Sequence, residues 1–145
     1  MFCVDVNVLL HAHRSDLPKH DEALRWLERA RSGHRPLGVP IAVQQAVLRV
    51  ATNPRIWVEP SGVEQAWAFI EAVRASPAFV AIEPGARHWA LLAGLLADSG
   101  CRGDDVPDAA LAATAIEHGA QVVSYDAGFA RFPAARWLRP DRPQD

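Results

Sequence analysis

Phe2-Cys-Val-Asp-Val-Asn-Val-Leu-Leu10 decides the fold, because a short run of β-branched and aromatic residues passes directly into an apolar stretch of helical spacing. Phe2 to Val6 is expected to be the first strand, with a turn of helix through Val8 to His13. Asp5 falls inside Cys3-Val-Asp-Val-Asn7, where a carboxylate is costly unless something pairs with it, so it stands out as a candidate functional group from the start.

The same alternation continues outward from that start. Asp21 to Arg31 carries Ala23, Leu24, Leu27 and Ala30 at helical spacing and ends at Gly33. Leu37 to Ile41 is expected to be a second strand. Val43, Val47 and Val50 line one side of a helix that stops before Asn53-Pro54. Ser61-Gly-Val-Glu64 has the pattern of a capping box, opening a helix with Val63, Trp67, Ile70 and Val73 inward. Phe79 to Ile82 reads as the third strand. Pro84 to Ser99, rich in leucine, reads as a helix ending at Gly100. Asp108 to His118 is an alanine-rich helix closed by Gly119, and Gln121 to Ser124 is the fourth strand.

Strands that alternate with helices imply a mostly parallel sheet, because each parallel crossover consumes about a dozen residues. The expected fold class is α/β, an α/β/α sandwich around four to five strands. At 145 residues with 50% hydrophobic content, one domain over residues 1–138 is expected, with a frayed tail rich in proline and charge over 139–145.

Composition excludes several functions. No stretch reaches the roughly eighteen uncharged apolar residues of a membrane span, and the N-terminus lacks the basic region and cleavage site of a secretory signal, so a cytoplasmic protein without membrane contact is expected. The two cysteines, Cys3 and Cys101, form no C-x-x-C pair, which argues against a zinc site or a disulfide framework. The six histidines, at 11, 13, 20, 34, 88 and 118, form no H-E-x-x-H motif. A net charge of -2 is not the footprint of global electrostatic binding to nucleic acid, so any such contact is local. Arg14, Arg55, Arg102 and Arg131 are candidates for a basic rim. The tryptophans, with Phe69 and Phe79, suit packing or an interface better than base stacking.

In open parallel sheets, ligands bind outside the carboxyl ends of the strands, and three acidic residues fall there: Asp5, Asp108 and Asp126. Asp126 follows the fourth strand; Asp-x-Gly is also a good turn former. Asp108 opens a helix whose dipole favours a carboxylate. Asp105 stands where an N-cap would, and Asp104 is expected in solvent. Ser124 points to the same side of its strand as Asp126, and Asn7 offers an amide to orient Asp5. Carboxylates brought close together repel unless a cation sits between them, and all-oxygen ligands without thiols favour Mg²⁺ or Mn²⁺. Such an ion suits phosphodiester hydrolysis.

These residues carry a resemblance. Val4-Asp-Val-Asn-Val-Leu-Leu10, Leu48-Arg-Val-Ala-Thr-Asn-Pro54, Asp105-Val-Pro-Asp-Ala-Ala-Leu-Ala-Ala113, Ile116-Glu-His-Gly119 and Ser124-Tyr-Asp-Ala-Gly-Phe129 look like a PIN domain and, more narrowly, like VapC toxins of type II toxin-antitoxin pairs, from residue 2 to about 138 in the family order. The resemblance implies an endoribonuclease needing Mg²⁺ or Mn²⁺, usually a homodimer, restrained by a VapB antitoxin whose C-terminal segment covers the acidic pocket. By motif position, Asp5 and Asp108 would be the principal metal ligands, Asp126 would complete the cluster, and Asp105 would be an outer member. Arg49 is a candidate for contact with RNA phosphate.

One departure is plain: the family commonly has a glutamate three residues before the arginine of the Leu-Arg-Val helix, and here that position is Ala46, preceded by Gln44 and Gln45. It raises an alternative, a catalytically weak PIN domain that mainly binds RNA or its antitoxin. A phosphatase using Asp5 as a covalent nucleophile is a third reading, against which Asn7 stands where a second aspartate would be wanted.

Overall fold

The computed structural model describes residues 1–142. Four short strands, β1 (Phe2–Val4), β2 (Leu37–Gly38), β3 (Phe79–Val80) and β4 (Gln121–Val123), form one sheet in the order β3-β2-β1-β4. Every pairing is parallel, with Phe2 and Cys3 opposite Leu37 and Gly38 on one side and Phe2 to Val4 opposite Gln121 to Val123 on the other. Six α-helices surround it: α1 (Val6–His13), α2 (His20–Ser32), α3 (Ile41–Ala51), α4 (Val63–Arg74), α5 (His88–Ser99) and α6 (Val106–Glu117). The α/β/α sandwich expected from the alternating pattern is thus the fold, with four strands.

Phe2, Cys3, Val4, Leu37, Val122 and Val123 are all buried. Since successive strand residues face opposite sides of a sheet, burial of every residue in a row means that both faces are covered by helices. The strands sit so close that β2 needs a glycine: a Cβ on Gly38 would lie 2.7 Å from the Phe2 carbonyl oxygen and 2.6 Å from Ile82 Cδ1.

Several boundaries differ from the sequence reading. The first strand ends at Val4, because the Asp5 carboxylate accepts the Val6 N–H at 2.6 Å and so starts α1 two residues before Val8. β2 ends at Gly38 and Ile41 opens α3; Phe79 and Val80 alone pair in β3; α5 starts at His88 rather than Pro84; and α6 starts at Val106, with Asp108 inside its first turn. The fourth strand ends at Val123. The Ser61–Glu64 capping box does not form. Gly62 is the cap residue, and the Ser61 hydroxyl is engaged by His13 Nε2 at 2.9 Å and by Arg14 Nη1 at 3.4 Å. Val63 and Trp67 face outward, while Ala66, Ile70 and Val73 make the buried stripe of α4.

Cys3 is buried and Cys101 half-buried. In the tail expected to fray, Arg139 pairs with Asp141 at 2.8 Å; its last residues, 143–145, lie outside those described. Among the described residues, no helix is long and apolar enough to cross a membrane.

Candidate active site

The strand order fixes where a site belongs. From β1 the chain steps to β2 and β3 on one side, then crosses to β4 on the other side of β1. Between β1 and β4 the connections diverge in opposite directions, which opens a crevice at the strands' carboxyl ends. Asp5 follows β1 directly, and Asp126 lies three residues beyond β4. α6 brings Asp108 to the same place. All three line a single cavity of about 470 Å³, together with Asn7 and Arg49.

Asp5 is 8% exposed and almost fully bonded. Its Oδ1 accepts from the Val6 N–H at 2.6 Å; its Oδ2 accepts from Asn7 Nδ2 at 2.7 Å and from the Ser124 hydroxyl at 2.6 Å. Ser124, fully buried, accepts in turn from Asn7 Nδ2 and from the Asp126 N–H, each at 2.9 Å. The Tyr125 N–H donates to Asn7 Oδ1 at 3.1 Å, so Asn7 and Ser124 knit the ends of β1 and β4 together. Burial raises the Asp5 carboxyl above its ordinary value, the Ser124 and Val6 hydrogen bonds oppose that, and the charge of Asp126 adds to it.

Asp108 differs. Among the described residues its side chain has no hydrogen-bond partner, and burial, followed by repulsion from Asp5, Asp126 and Asp105, pushes its carboxyl up to about 6, with Arg131 as the only opposing charge. It is the open carboxylate of the site. Asp126 is exposed and caps the following turn, its Oδ1 accepting from the Gly128 N–H at 2.7 Å. The turn-forming role and the place in the cavity therefore coexist in one residue.

Asp105 stands at the N-terminus of α6, yet its side chain caps nothing. It pairs instead with Arg131 at 3.0 Å and acts on the cavity through its charge. Asp104 is exposed. Arg131 is thereby taken out of the expected basic rim. So is Arg14, buried against Asp16 and the Glu59 carbonyl with its guanidinium 4.0 Å from the centre of the Trp57 ring. Ala46 does line the cavity, and Gln44 does not replace the absent glutamate: it is buried, donating to the Val39 carbonyl and accepting from Arg74 Nη1, each at 2.8 Å.

Among the described residues, no three His, Cys, Asp or Glu side chains are already set as a group that would encage a metal ion. The reason is visible in the bonding, since Asp126 turns one oxygen to its own backbone and Asp105 leans to Arg131. The donor chemistry nevertheless fits a hard cation: three carboxylates and an amide line one cavity, and Asp108 carries an unbonded, charge-strained carboxyl that a cation would relieve.

Glu83, His88 and Thr114 also line the cavity and escaped the sequence reading. Nothing local marks them, because they reach the site from the loop before α5, from the start of α5 and from a face of α6, which only the packing of α5 against α6 brings together.

The PIN domain family profile matches residues 2–135. The chain belongs to the PIN-domain family. Within it, the relatives are VapC ribonucleases. A VapC ribonuclease of Mycobacterium bovis is 44% identical over 140 residues, covering 97% of this chain and 95% of its own. Ribonuclease VapC25 of Mycobacterium tuberculosis is 46% identical over 140 residues, covering 97% and 99%. Among solved structures, a chain of VapBC2 from Rickettsia felis, bound to a DNA fragment from their promoter, superposes with a TM-score of 0.70 over 95% of this chain and 97% of that one, at 16% identity. That likeness extends the agreement to the fold.

Proposed function

We propose that the protein is a metal-dependent endoribonuclease, the toxin of a VapB–VapC pair, which hydrolyses RNA phosphodiester bonds at the Asp5–Asp108–Asp126 cavity. The observation that carries this reading is Asp108: an unbonded carboxyl, destabilised by three other aspartates, at the switch point of a parallel sheet. The names of the relatives, ribonucleases over nearly the whole chain, support the activity, and the solved VapBC neighbour supports an antitoxin partner.

Asp5, Asp108 and Asp126, with Asp105 as an outer charge, would hold Mg²⁺ or Mn²⁺. When bound, the ion supplies charge neutralisation at the scissile phosphate and a more acidic water. Asn7 and Ser124 hold Asp5 in place by donating to its Oδ2, and the Ser124 bond opposes the rise that burial imposes on that carboxyl. Arg49, exposed and part of the cavity lining, would meet a phosphate of the substrate. A nucleophilic Asp5 is disfavoured, since both its oxygens are held by donors. Ala46 favours the second reading, a weakly catalytic domain that mainly binds RNA or antitoxin, because the cavity wall there lacks a carboxylate. Cytoplasmic residence and a homodimer belong to the same proposal.

The test is hydrolysis of RNA in Mg²⁺ or Mn²⁺ by the wild-type chain, Asp5→Asn and Asp108→Asn. Loss of about 10²-fold or more in both variants, the scale of removing a charge-stabilising group, is expected. Wild-type inactivity with retained RNA binding favours the second reading.

A further inference from the structure

The cavity has a mixed lining. Beside the carboxylates that lining includes Pro40, Val43 and Leu111, together with His88 and Glu83. His88 is 9% exposed although it begins α5, and its ring contacts Thr114, with Nδ1 3.4 Å from the hydroxyl oxygen. Thr114 in turn donates its hydroxyl proton to the Ala110 carbonyl at 3.1 Å. With that proton committed, the threonine oxygen accepts from His88 Nδ1–H, and Nε2 is left as the ring's open acceptor. Glu83, an exposed residue of the lining, accepts the Ile41 N–H at 2.7 Å with one oxygen, leaving the second as another acceptor. A flat ligand between apolar walls that presents adjacent N–H donors along one edge would satisfy both.

We propose that the apolar part of this lining receives the nucleobase adjoining the scissile phosphate, and that His88 and Glu83 select guanine there. The assignment rests on the ribonuclease reading for its substrate class. Guanine is the base that matches, because its N1–H and N2 amino group offer two donors side by side, whereas uracil offers one and cytosine and adenine offer only an amino group on that edge. Apolar walls supply the contact area and the two acceptors the discrimination, as in small-molecule sites generally. Thr114 is a positioning residue that fixes the His88 tautomer.

The experiment uses uncharged nucleosides, which need neither metal nor cleavage, titrated into the full chain while the His88 ring protons are followed by NMR. Guanosine is expected to shift them with an affinity about tenfold above that of uridine, the scale of one charge-assisted hydrogen bond. Inosine should bind more weakly than guanosine, and 1-methylguanosine should not bind. Thr114→Val should weaken guanosine without moving the thermal midpoint by more than a few degrees. Equal binding of all four nucleosides, undiminished binding of 1-methylguanosine, or shifts as large from N-acetyl-tryptophanamide as from guanosine would overturn the assignment, the last pointing to a peptide instead. Guanosine binding by a chain that cuts no RNA would leave the subsite standing and sink the nuclease reading alone.

Discussion

Ser124→Ala removes one oxygen that touches three groups of the site at once. The hydroxyl donates to Asp5 Oδ2 at 2.6 Å and accepts from Asn7 Nδ2 and the Asp126 N–H at 2.9 Å each. A hydrogen bond to a buried charged group contributes about 1.5–3 kcal/mol, and a neutral one roughly 1 kcal/mol. Asn7 still donates to Asp5 Oδ2 in the variant, and Asp126 is exposed enough for water to replace its lost acceptor, so the expected cost is about 2–3 kcal/mol at pH 7.5. For a chain of this length that corresponds to a fall in Tm of about 6–12 °C. The cost should shrink toward pH 5, because losing the Ser124 donor raises the Asp5 carboxyl further and a protonated Asp5 no longer needs that donor. Differential scanning calorimetry of the metal-free protein across that pH range measures both features. A Tm within about 1 °C of wild type at pH 7.5 would refute the claim that Ser124 holds a charged Asp5.

Other expectations follow from the same geometry. Gly38→Ala forces a methyl group against the Phe2 carbonyl and Ile82, and is expected to destabilise by about 1–3 kcal/mol, checked by urea unfolding. Asp108 is raised to about 6, above its unfolded value, so the folded state binds the extra proton between the two; metal-free stability should therefore rise as pH falls from 7 toward 4, and saturating Mg²⁺ should flatten the trend. The same proton competes with a cation, so RNA cleavage should fall below about pH 6. Arg131→Gln, which breaks an exposed pair with Asp105, should change stability by less than about 1 kcal/mol while shifting the acid limb of cleavage upward, since Arg131 is the charge that opposes the raised Asp108.

The alternation of strand and helix was legible because each element carries its own periodicity, and the acidic residues at strand ends were legible because topology alone sends them to one mouth of the sheet. What escaped was tertiary. Trp67 has the spacing of an inward residue on α4, but Ala66, Ile70 and Val73 form the stripe that is covered, and helical spacing alone does not say which neighbouring stripe a partner helix takes. Ser61 satisfies a capping pattern, yet the side chains of His13 and Arg14, nearly fifty residues away, claim its hydroxyl. The end of β1 differs because Val6 favours a strand, while the Asp5 cap starts the helix at that residue. His88 and Thr114 meet across 26 residues of chain, a distance no local motif spans.

On the proposed reading, the carboxylates that follow β1, open α6 and follow β4 together hold one magnesium-like ion. That claim is tested most directly by Mn²⁺ binding followed by electron paramagnetic resonance at pH 7.5, in the absence of RNA. Wild type should bind the ion, and Asp5→Asn and Asp108→Asn should each weaken it by at least about tenfold while remaining folded, a loss on the scale set by ligand-shell changes. Unaltered Mn²⁺ affinity in both variants would contradict the account.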